Sequence, residues 1–140
     1  MPGMRRDDAA EVEEANARFY RAFESRDLRE MDALWGHGDH VACIHPGWTL
    51  LSGWESIRPS WEAIFKDSRE MRFSIGDVHV RVEGDAAWVT CTENILSQAG
   101  GNIAVTTLLA TNLFERRTGE WLMVHHHASH ILTGDPPPAA

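Results

Sequence analysis

The chain has 140 residues, of which 43% are hydrophobic and 24% are charged, and its formal net charge is −8. This length suits one domain with one hydrophobic core, and the six tryptophans argue against a disordered chain. No apolar run approaches the roughly 20 residues that a membrane-spanning helix needs, and residues 1–15 lack the apolar stretch of a signal peptide. A membrane is therefore not an expected partner.

The basic residues are dispersed along the chain, and no cluster is larger than two adjacent arginines. Nucleic-acid-binding proteins normally present a concentrated basic surface, so nucleic acid is not an expected partner. The two cysteines, Cys43 and Cys91, do not form a CxxC motif. We expect two buried thiols in a reducing compartment, which favours the cytoplasm.

The N-terminal third of the sequence predicts two helices. From about Asp8 to Ser25, apolar residues recur at steps of three and four, which is typical of one buried helix stripe. Asp27 is placed to cap a second helix, and Glu30 is placed to complete a capping box. Residues 1–7 precede the first helix and are expected to form a flexible tail.

A short strand and a third helix are predicted next. The strand covers about 40–45, and the helix runs from Ser52 or Gly53 to about Phe65. Pro59 lies inside this helix and lacks the backbone N–H of other residues. We therefore expect Pro59 to kink the helix or to move its regular part toward the C-terminus.

The remaining sequence alternates apolar and polar residues between glycine-containing turns. Four strands are predicted, at about 70–83, 86–97, 103–116 and 120–131, and the proline-rich residues 133–140 are expected to be a second flexible tail. Three helices followed by a meander indicate an α+β fold. Because strands of this length twist and curl, we expect a cone-shaped, curved antiparallel or mixed sheet wrapped around the three N-terminal helices.

The glycine turn between the last two strands predicts which side chains share a face. A two-residue turn pairs Asn112 with His125 and places His127 on the same face, toward the helices. Continuing the register through the preceding Gly-Gly turn adds Glu93 to this face, although a slip of one residue would exchange the two faces. His126 is then predicted to lie on the opposite face.

That opposite face is also apolar, since it carries Trp88, Leu113 and Val124. A sheet with two apolar faces needs a second cover, because large apolar patches are rarely left exposed on monomers. We therefore expect a homodimer that pairs through the outer face of the sheet.

The order of elements and two motifs resemble a known family. Helix, helix, short strand, HPGW loop, helix and four long strands resemble the nuclear transport factor 2-like superfamily. The run TNLFERRTGEWLMVHHHASH and the segment ACIHPGW are similar to motifs of its SnoaL-like branch. The association domain of calcium/calmodulin-dependent kinase II has a similar Gly-x-Trp…His-x-His-x-Ser pattern. The resemblance covers residues 8–132 and implies the cystatin-like α+β barrel of this superfamily.

The resemblance implies residue types for catalysis but no single reaction, because the superfamily includes isomerases, cyclases, dehydratases and binding proteins. Its ketosteroid isomerases use an Asp base with a Tyr and a protonated acid. Tyr20 is the only tyrosine here and has a plausible position for that role, but no acid of this sequence is assigned to the role of the base. SnoaL-type cyclases use a carboxylate with a His, which Glu93 with His125 or His127 can imitate.

Glu93, His125 and His127 are therefore the candidate catalytic residues, and five further residues are candidate ligand contacts. These are Tyr20, His45, Trp48, Trp61 and Asn112. Asn112 offers both a donor and an acceptor, while His45 and Trp48 flank a Pro-Gly turn. Each has a structural alternative: Asn112 as a satisfied core amide, and Trp61 as ordinary core.

Two histidines and a carboxylate are also a known set of metal ligands. We prefer to interpret His125 and His127 as residues lining a wet pocket, so neither a metal nor another cofactor is predicted. The leading hypothesis is a binding protein for a small apolar or carbonyl-containing molecule. The alternatives are an isomerase, cyclase or dehydratase that uses a Glu/His acid–base pair, and a dimeric association module.

Overall fold

The computed structural model describes residues 7–67 and 70–132, apart from the side chain of Ala99. Its helices are α1 (Asp8–Ser25), α2 (Leu28–Leu34) and α3 (Trp54–Lys66), and its strands are β1 (Ala42–Ile44), β2 (Leu51–Ser52), β3 (Glu70–Glu83), β4 (Ala86–Ala99), β5 (Asn102–Arg117) and β6 (Glu120–His130). The predicted tails, 1–7 and 133–140, lie outside the described residues except for Asp7. The Asp7 side chain caps α1 by accepting a hydrogen bond from the backbone N–H of Ala10.

The second helix begins as predicted, but its capping box is only half formed. The Asp27 side chain accepts a hydrogen bond from the backbone N–H of Glu30 at 3.1 Å. The Glu30 carboxylate does not return to the cap residue, because it accepts hydrogen bonds from the Arg18 guanidinium on α1 instead. This ion pair ties α2 to α1 at the surface.

The third helix is uninterrupted from Trp54 to Lys66, with Pro59 inside it. Gly53 precedes the helix with a φ of +86°, a conformation that glycine adopts without strain. The expectation that Pro59 moves the regular part of the helix is therefore wrong. Pro59 is exposed, so the carbonyl that it leaves without an N–H partner lies on the solvent side.

The six strands form one mixed sheet in the order β2-β1-β6-β5-β4-β3. The four long strands pair antiparallel as predicted, whereas β1 pairs parallel with β6 and antiparallel with the unpredicted β2. Helix α1 packs across β3, β4 and β6, and α3 contacts β1 and β2. The inner face of the sheet, defined as the face toward the helices, and the three helices enclose the hydrophobic core.

A bulge in β6 changes the predicted register. From the turn, the pairing runs regularly as far as Phe114 with Met123, but Leu113 then pairs with His125, so Val124 has no partner of its own. Two adjacent residues of a bulge oppose one residue of the neighbouring strand. Beyond this point Asn112 pairs with His126 rather than His125.

The outer face of the sheet, away from the helices, is apolar as expected. Cross-strand pairs include Trp88 with Leu113 and Leu96 with Val105, and all four side chains are exposed. The homodimer through this face stays a prediction. Within residues 7–67 and 70–132, no helix is both long and apolar enough to cross a membrane.

Candidate functional site

A cavity of about 480 Å³ lies between the inner face of the sheet and α3. Its walls are mostly apolar, and its polar side chains include Glu93, His45 and His126; apolar contributions come from Phe23, Ile64, Met71, Ile95 and Leu108. We call this space the inner cavity. It brings together parts of α1, α3 and strands β3 to β6, so it exists only in the folded chain.

Glu93 lies on the inner face of β4 and is 2% exposed. Its Oε2 accepts a hydrogen bond of 2.6 Å from the Tyr20 hydroxyl. Burial raises the pKa of Glu93 to about 7, because the charged carboxylate loses its water, and the bond from Tyr20 opposes this rise. Glu93 therefore exchanges its proton near neutral pH, as an acid–base residue must.

Tyr20 donates a hydrogen bond to Glu93 but does not line the inner cavity. It projects from the buried stripe of α1, where its hydroxyl accepts a hydrogen bond of 3.1 Å from Asn112 Nδ2 and lies 3.5 Å from Cys91 Sγ. Burial, and then the charge of Glu93, raise the pKa of Tyr20. The phenol therefore stays protonated and donates to the carboxylate.

Asn112 is the centre of the buried polar network. Its Nδ2 donates to Asn16 Oδ1 at 2.8 Å as well as to Tyr20, and its Oδ1 accepts from His126 Nδ1 at 2.6 Å. The side chain is fully buried and does not line the inner cavity. Asn112 thus connects Tyr20, the hydrogen-bond donor of Glu93, with His126. The expectation that Asn112 contacts a ligand in the inner cavity is not supported by this geometry.

His126 occupies the position that the sequence analysis assigned to its two neighbours. It is 1% exposed, lines the inner cavity, and packs with its ring centroid 4.8 Å from that of Phe19. Burial, and then repulsion from a charged His45, lower the pKa of His126. His126 is therefore a neutral imidazole at physiological pH.

The predicted inward placement of His125 and His127 is wrong. The bulge at Val124 turns both side chains to the outer face, where His125 is half-buried, His127 is exposed, and their ring centroids are 6.4 Å apart. Burial, and then repulsion from His127, lower the pKa of His125. Neither histidine reaches Glu93, because the sheet itself lies between them.

His45 lies just after β1 and lines the inner cavity as predicted. Its Nε2 is 2.8 Å from Ser60 Oγ, and that hydroxyl donates its single hydrogen to the carbonyl of Ile57. His45 Nε2 must therefore be the donor, which leaves Nδ1 as an acceptor. Burial lowers the pKa of His45 to about 4, so this ring is also neutral.

The two candidate tryptophans lie in different environments. Trp48 is 46% exposed and lines the inner cavity, with its ring edge-on to His45 at 4.8 Å. Trp61 is fully buried, does not line the cavity, and packs edge-on against His45 at 4.6 Å. Trp61 therefore belongs to the core, which is the structural alternative considered for it.

Sequence reasoning missed His126, Asn16 and Ser60. Asn16 carried a usable signal, since it lies four residues after Val12 and four before Tyr20 on the buried stripe of α1, where a polar residue is unusual. His126 carried none, because three consecutive histidines do not indicate which of them faces inward.

The alternative of a metal site with Glu93, His125 and His127 is not formed. Among the described residues, no group of three or more His, Cys, Asp or Glu side chains is arranged to hold a metal ion. The side chains that line the inner cavity are suited to hydrogen bonding and proton transfer, and they include the carboxyl groups of Glu93 and Asp67 and the imidazoles of His45, His126 and His130.

Comparison with known proteins agrees with this architecture. A solved structure from Streptomyces avermitilis, provisionally described as a dehydratase of the NTF2-like family, is 39% identical and aligns with a TM-score of 0.83 over 90% of this chain and 97% of that one. A structure from Thiobacillus denitrificans, provisionally described as a calcium/calmodulin-dependent protein kinase type II association domain, is 36% identical with a TM-score of 0.74 over 86% and 94%.

A curated relative and a family model extend the comparison. F-box protein SKIP8 of Arabidopsis thaliana is 37% identical over 120 residues, which are 86% of this chain and 49% of that protein, so the chain spans about half the length of this relative. The model of the SnoaL-like domain matches residues 12–133. With its three helices and six-stranded mixed sheet, the chain belongs to the SnoaL-like domain family and has the NTF2-like fold.

Proposed function

We propose that the protein binds a small, mostly apolar molecule in the inner cavity. The observation that carries this proposal is a mostly apolar cavity of about 480 Å³ whose lining also includes polar side chains. Small-molecule sites are typically concave, apolar spaces of roughly 300–1,000 Å³ with a small number of oriented polar groups. Buried Glu93, His45 and His126 are among those groups here, and Asp67, Ser97, Thr106 and His130 are the other polar lining residues.

The free-energy cost of burying the Glu93 carboxyl group also supports a ligand in the inner cavity. A buried carboxyl group with a raised pKa destabilises the fold unless it is fully hydrogen-bonded. Here Tyr20 donates to Glu93 Oε2 and accepts from Asn112, which also donates to Asn16, but no described residue bonds to Glu93 Oε1. A core selected only for stability would place an apolar side chain at this position, so the carboxyl group fits a functional role.

Filling the cavity tests the proposal. Replacing Ile64 on α3 with Trp adds bulk to the cavity wall, and we expect binding of the neutral apolar dye Nile red, followed by fluorescence, to fall at least tenfold. The matched control is Ile131→Trp, because Ile131 is 43% exposed and lies outside the cavity. Equal dye binding by wild type, Ile64→Trp and Ile131→Trp would show that the cavity is not the site.

A second candidate function is proton-transfer catalysis, as a dehydratase or isomerase. It is favoured by the pKa of Glu93 near 7, by a neutral His126 that lines the same cavity, and by the dehydratase description given to the 39% identical Streptomyces protein. In a dehydration, His126 takes a proton from the carbon next to a carbonyl. Protonated Glu93 gives its proton to the leaving hydroxyl, water departs, and a C=C bond forms; solvent then returns the proton from His126 to Glu93.

This second function has its own test. The aldol of benzaldehyde and acetone loses water to give a conjugated enone, which is followed by its absorbance. General acid–base groups contribute roughly 10²- to 10⁴-fold, so Glu93→Gln should lower kcat by at least a hundredfold and remove the pH dependence near neutrality. Glu83→Gln, at an exposed glutamate on β3, should leave both unchanged. Unchanged turnover in Glu93→Gln would exclude Glu93 as the acid.

We also propose a homodimer that pairs through the outer face of the sheet. The exposed apolar side chains of that face support it, as does the similarity to an association domain from Thiobacillus denitrificans. Multi-angle light scattering should give twice the chain mass of 15.7 kDa. Leu113→Glu, at the middle of this face, should give the single-chain mass, and a wild-type protein at the single-chain mass would end this proposal.

The cytoplasm remains the proposed compartment. Cys43 and Cys91 are both free and buried, as expected in a reducing environment. Fractionation of cells that express the protein, with detection by antibody, should place it in the cytoplasmic fraction, and recovery from an oxidising compartment would contradict this assignment.

A further inference from the structure

The hydrogen-bond directions around the inner cavity restrict the chemistry of its ligand. Asn112 Nδ2 is used by two oxygens, those of Asn16 and Tyr20, so Asn112 Oδ1 is the atom that meets His126. A carbonyl oxygen only accepts, so His126 Nδ1 carries the hydrogen. In the neutral ring the other nitrogen, Nε2, is then an acceptor.

Glu93 also has one oxygen that a described residue uses and one that none uses. Its Oε2 accepts from Tyr20, and Oε1 has no hydrogen bond to any described residue. Among the described residues, the fully buried side-chain nitrogen and oxygen atoms without a partner are the indole nitrogens of Trp35, Trp61 and Trp121. Glu93 Oε1 and His126 Nε2 are not among these enclosed atoms, neither has a hydrogen bond to a described residue, and both side chains line the inner cavity.

The titratable groups around Glu93 reinforce this pattern. Tyr20 from α1 and Cys91 from β4 are protonated, because burial raises the pKa of each. The neutral rings of His45 and His126 add acceptors rather than donors, and His130 and Asp67 complete the titratable lining. None of the described lining residues is Lys or Arg, so the described part of the lining offers no Lys or Arg cation to a carboxylate or phosphate.

Resting on the proposed binding function, we propose that the inner cavity selects an apolar molecule whose polar group donates hydrogen bonds, a hydroxyl or an amine, over the matching ketone. A hydroxyl donates its one hydrogen to Glu93 Oε1 or to His126 Nε2, an amine has hydrogens enough for both, and the apolar walls take the hydrocarbon body. A ketone offers only acceptors to these two atoms and leaves them unpaired. Sites built for hydrogen bonding discriminate strongly against analogues that lack the matching group, because their own polar atoms then stay unsatisfied.

Three rigid compounds of nearly equal shape test this inference: 1-adamantanol, 1-adamantylamine and 2-adamantanone. At a pH of about 8.5, where Glu93 is ionised, isothermal titration calorimetry should show the alcohol and the amine binding at least tenfold more tightly than the ketone. At a pH of about 5.5 Glu93 carries a proton that it can donate, so the preference against the ketone should shrink.

The variant Glu93→Gln gives the sharpest result. Its carbonyl oxygen keeps the bond from Tyr20, which places an N–H₂ donor where Oε1 was, so the ketone should bind at least as tightly as the alcohol at a pH of about 8.5. Glu83→Gln, an exposed control on the same sheet, should keep the wild-type preference.

The outcomes separate the two proposals. Equal binding of alcohol, amine and ketone, tighter binding of the ketone by wild type, or an unchanged preference in Glu93→Gln would overturn this inference alone. Nile red binding without binding of any adamantane compound would also overturn it. Failure of Nile red and of all three compounds to bind would overturn the proposed binding function as well.

Discussion

The three consecutive histidines of β6 lie in two different environments. His126 is enclosed by the core, donates to Asn112 and lines the inner cavity, whereas His125 and His127 lie on the outer face. The residues are chemically identical, so their position relative to the sheet alone decides what each can do. On the inner face a polar atom needs a hydrogen-bond partner from the protein or a ligand, whereas on the outer face bulk water can supply one.

The largest expected effect comes from removing the centre of the inner network. Asn112→Leu removes one hydrogen bond from each of Asn16 Oδ1, the Tyr20 hydroxyl and His126 Nδ1 in the core, while Tyr20 keeps its bond to Glu93. Since a buried unsatisfied group costs roughly 1–3 kcal/mol, the free energy of unfolding should fall by about 4 kcal/mol in urea denaturation. The adjacent outer-face change, Thr111→Val, should alter it by less than about 0.5 kcal/mol. Equal effects would remove the energetic distinction between the faces.

The pH dependence of stability should reveal the buried carboxyl group. The pKa of Glu93 is raised from 4.5 to about 7 in the folded protein, so the folded state holds the proton more tightly than the unfolded state. This contribution is fully present below pH 4.5 and is lost as the pH rises through 7. The stability of wild type relative to Glu93→Gln should therefore fall by about 3 kcal/mol between these limits.

Taking the difference with Glu93→Gln is essential, because the histidines act in the opposite direction. Their lowered pKa values destabilise the fold as the pH falls below about 6.5, in wild type and variant alike. Urea denaturation at a series of pH values provides the comparison, with Glu83→Gln as the exposed control. A difference that does not vary with pH would mean that the pKa of Glu93 is not raised by burial.

Phenylalanine substitutions compare the two histidine environments directly. His126→Phe keeps the ring but removes the donor to Asn112 Oδ1, so the free energy of unfolding should fall by about 2 kcal/mol. His127→Phe on the outer face should change it by less than about 0.5 kcal/mol. Thermal denaturation with both variants is the measurement, and a larger loss for His127→Phe would contradict the register at the bulge.

The smallest expected effect is a shift of the Glu93 titration. Tyr20→Phe removes the hydrogen bond that favours the charged carboxylate, so the pKa of Glu93 should rise above 7 by about one unit. NMR of protein labelled with ¹³C at glutamate side chains follows this titration. Phe73→Leu, next to Tyr20 but without a hydrogen bond to Glu93, is the matched control, and a lowered pKa in Tyr20→Phe would contradict the direction of the bond.

Strand register predicted the facing of Glu93 correctly and the facing of His125 and His127 incorrectly. Glu93 was assigned to the inner face from the Gly-Gly turn, and β4 and β5 pair without interruption from that turn to Ala86, so the prediction of its facing is confirmed. His125 and His127 were assigned by the same method from the next turn, and the bulge at Val124 reversed them. The alternation of side chains between the two faces of a sheet therefore predicts facing only as far as the first β-bulge.

The sequence alone determined the α+β class, the order of three helices and four long strands, and the presence of a carboxylate on the inner face. These features follow from local periodicity and from turn residues, which act within a few positions along the chain. Only the tertiary structure decided that His126 faces the cavity and that Asn16 and Ser60 orient the polar groups around it. The pairing of β6 with β1 and the packing of α1 against the sheet join residues far apart in sequence, and no local pattern records such contacts.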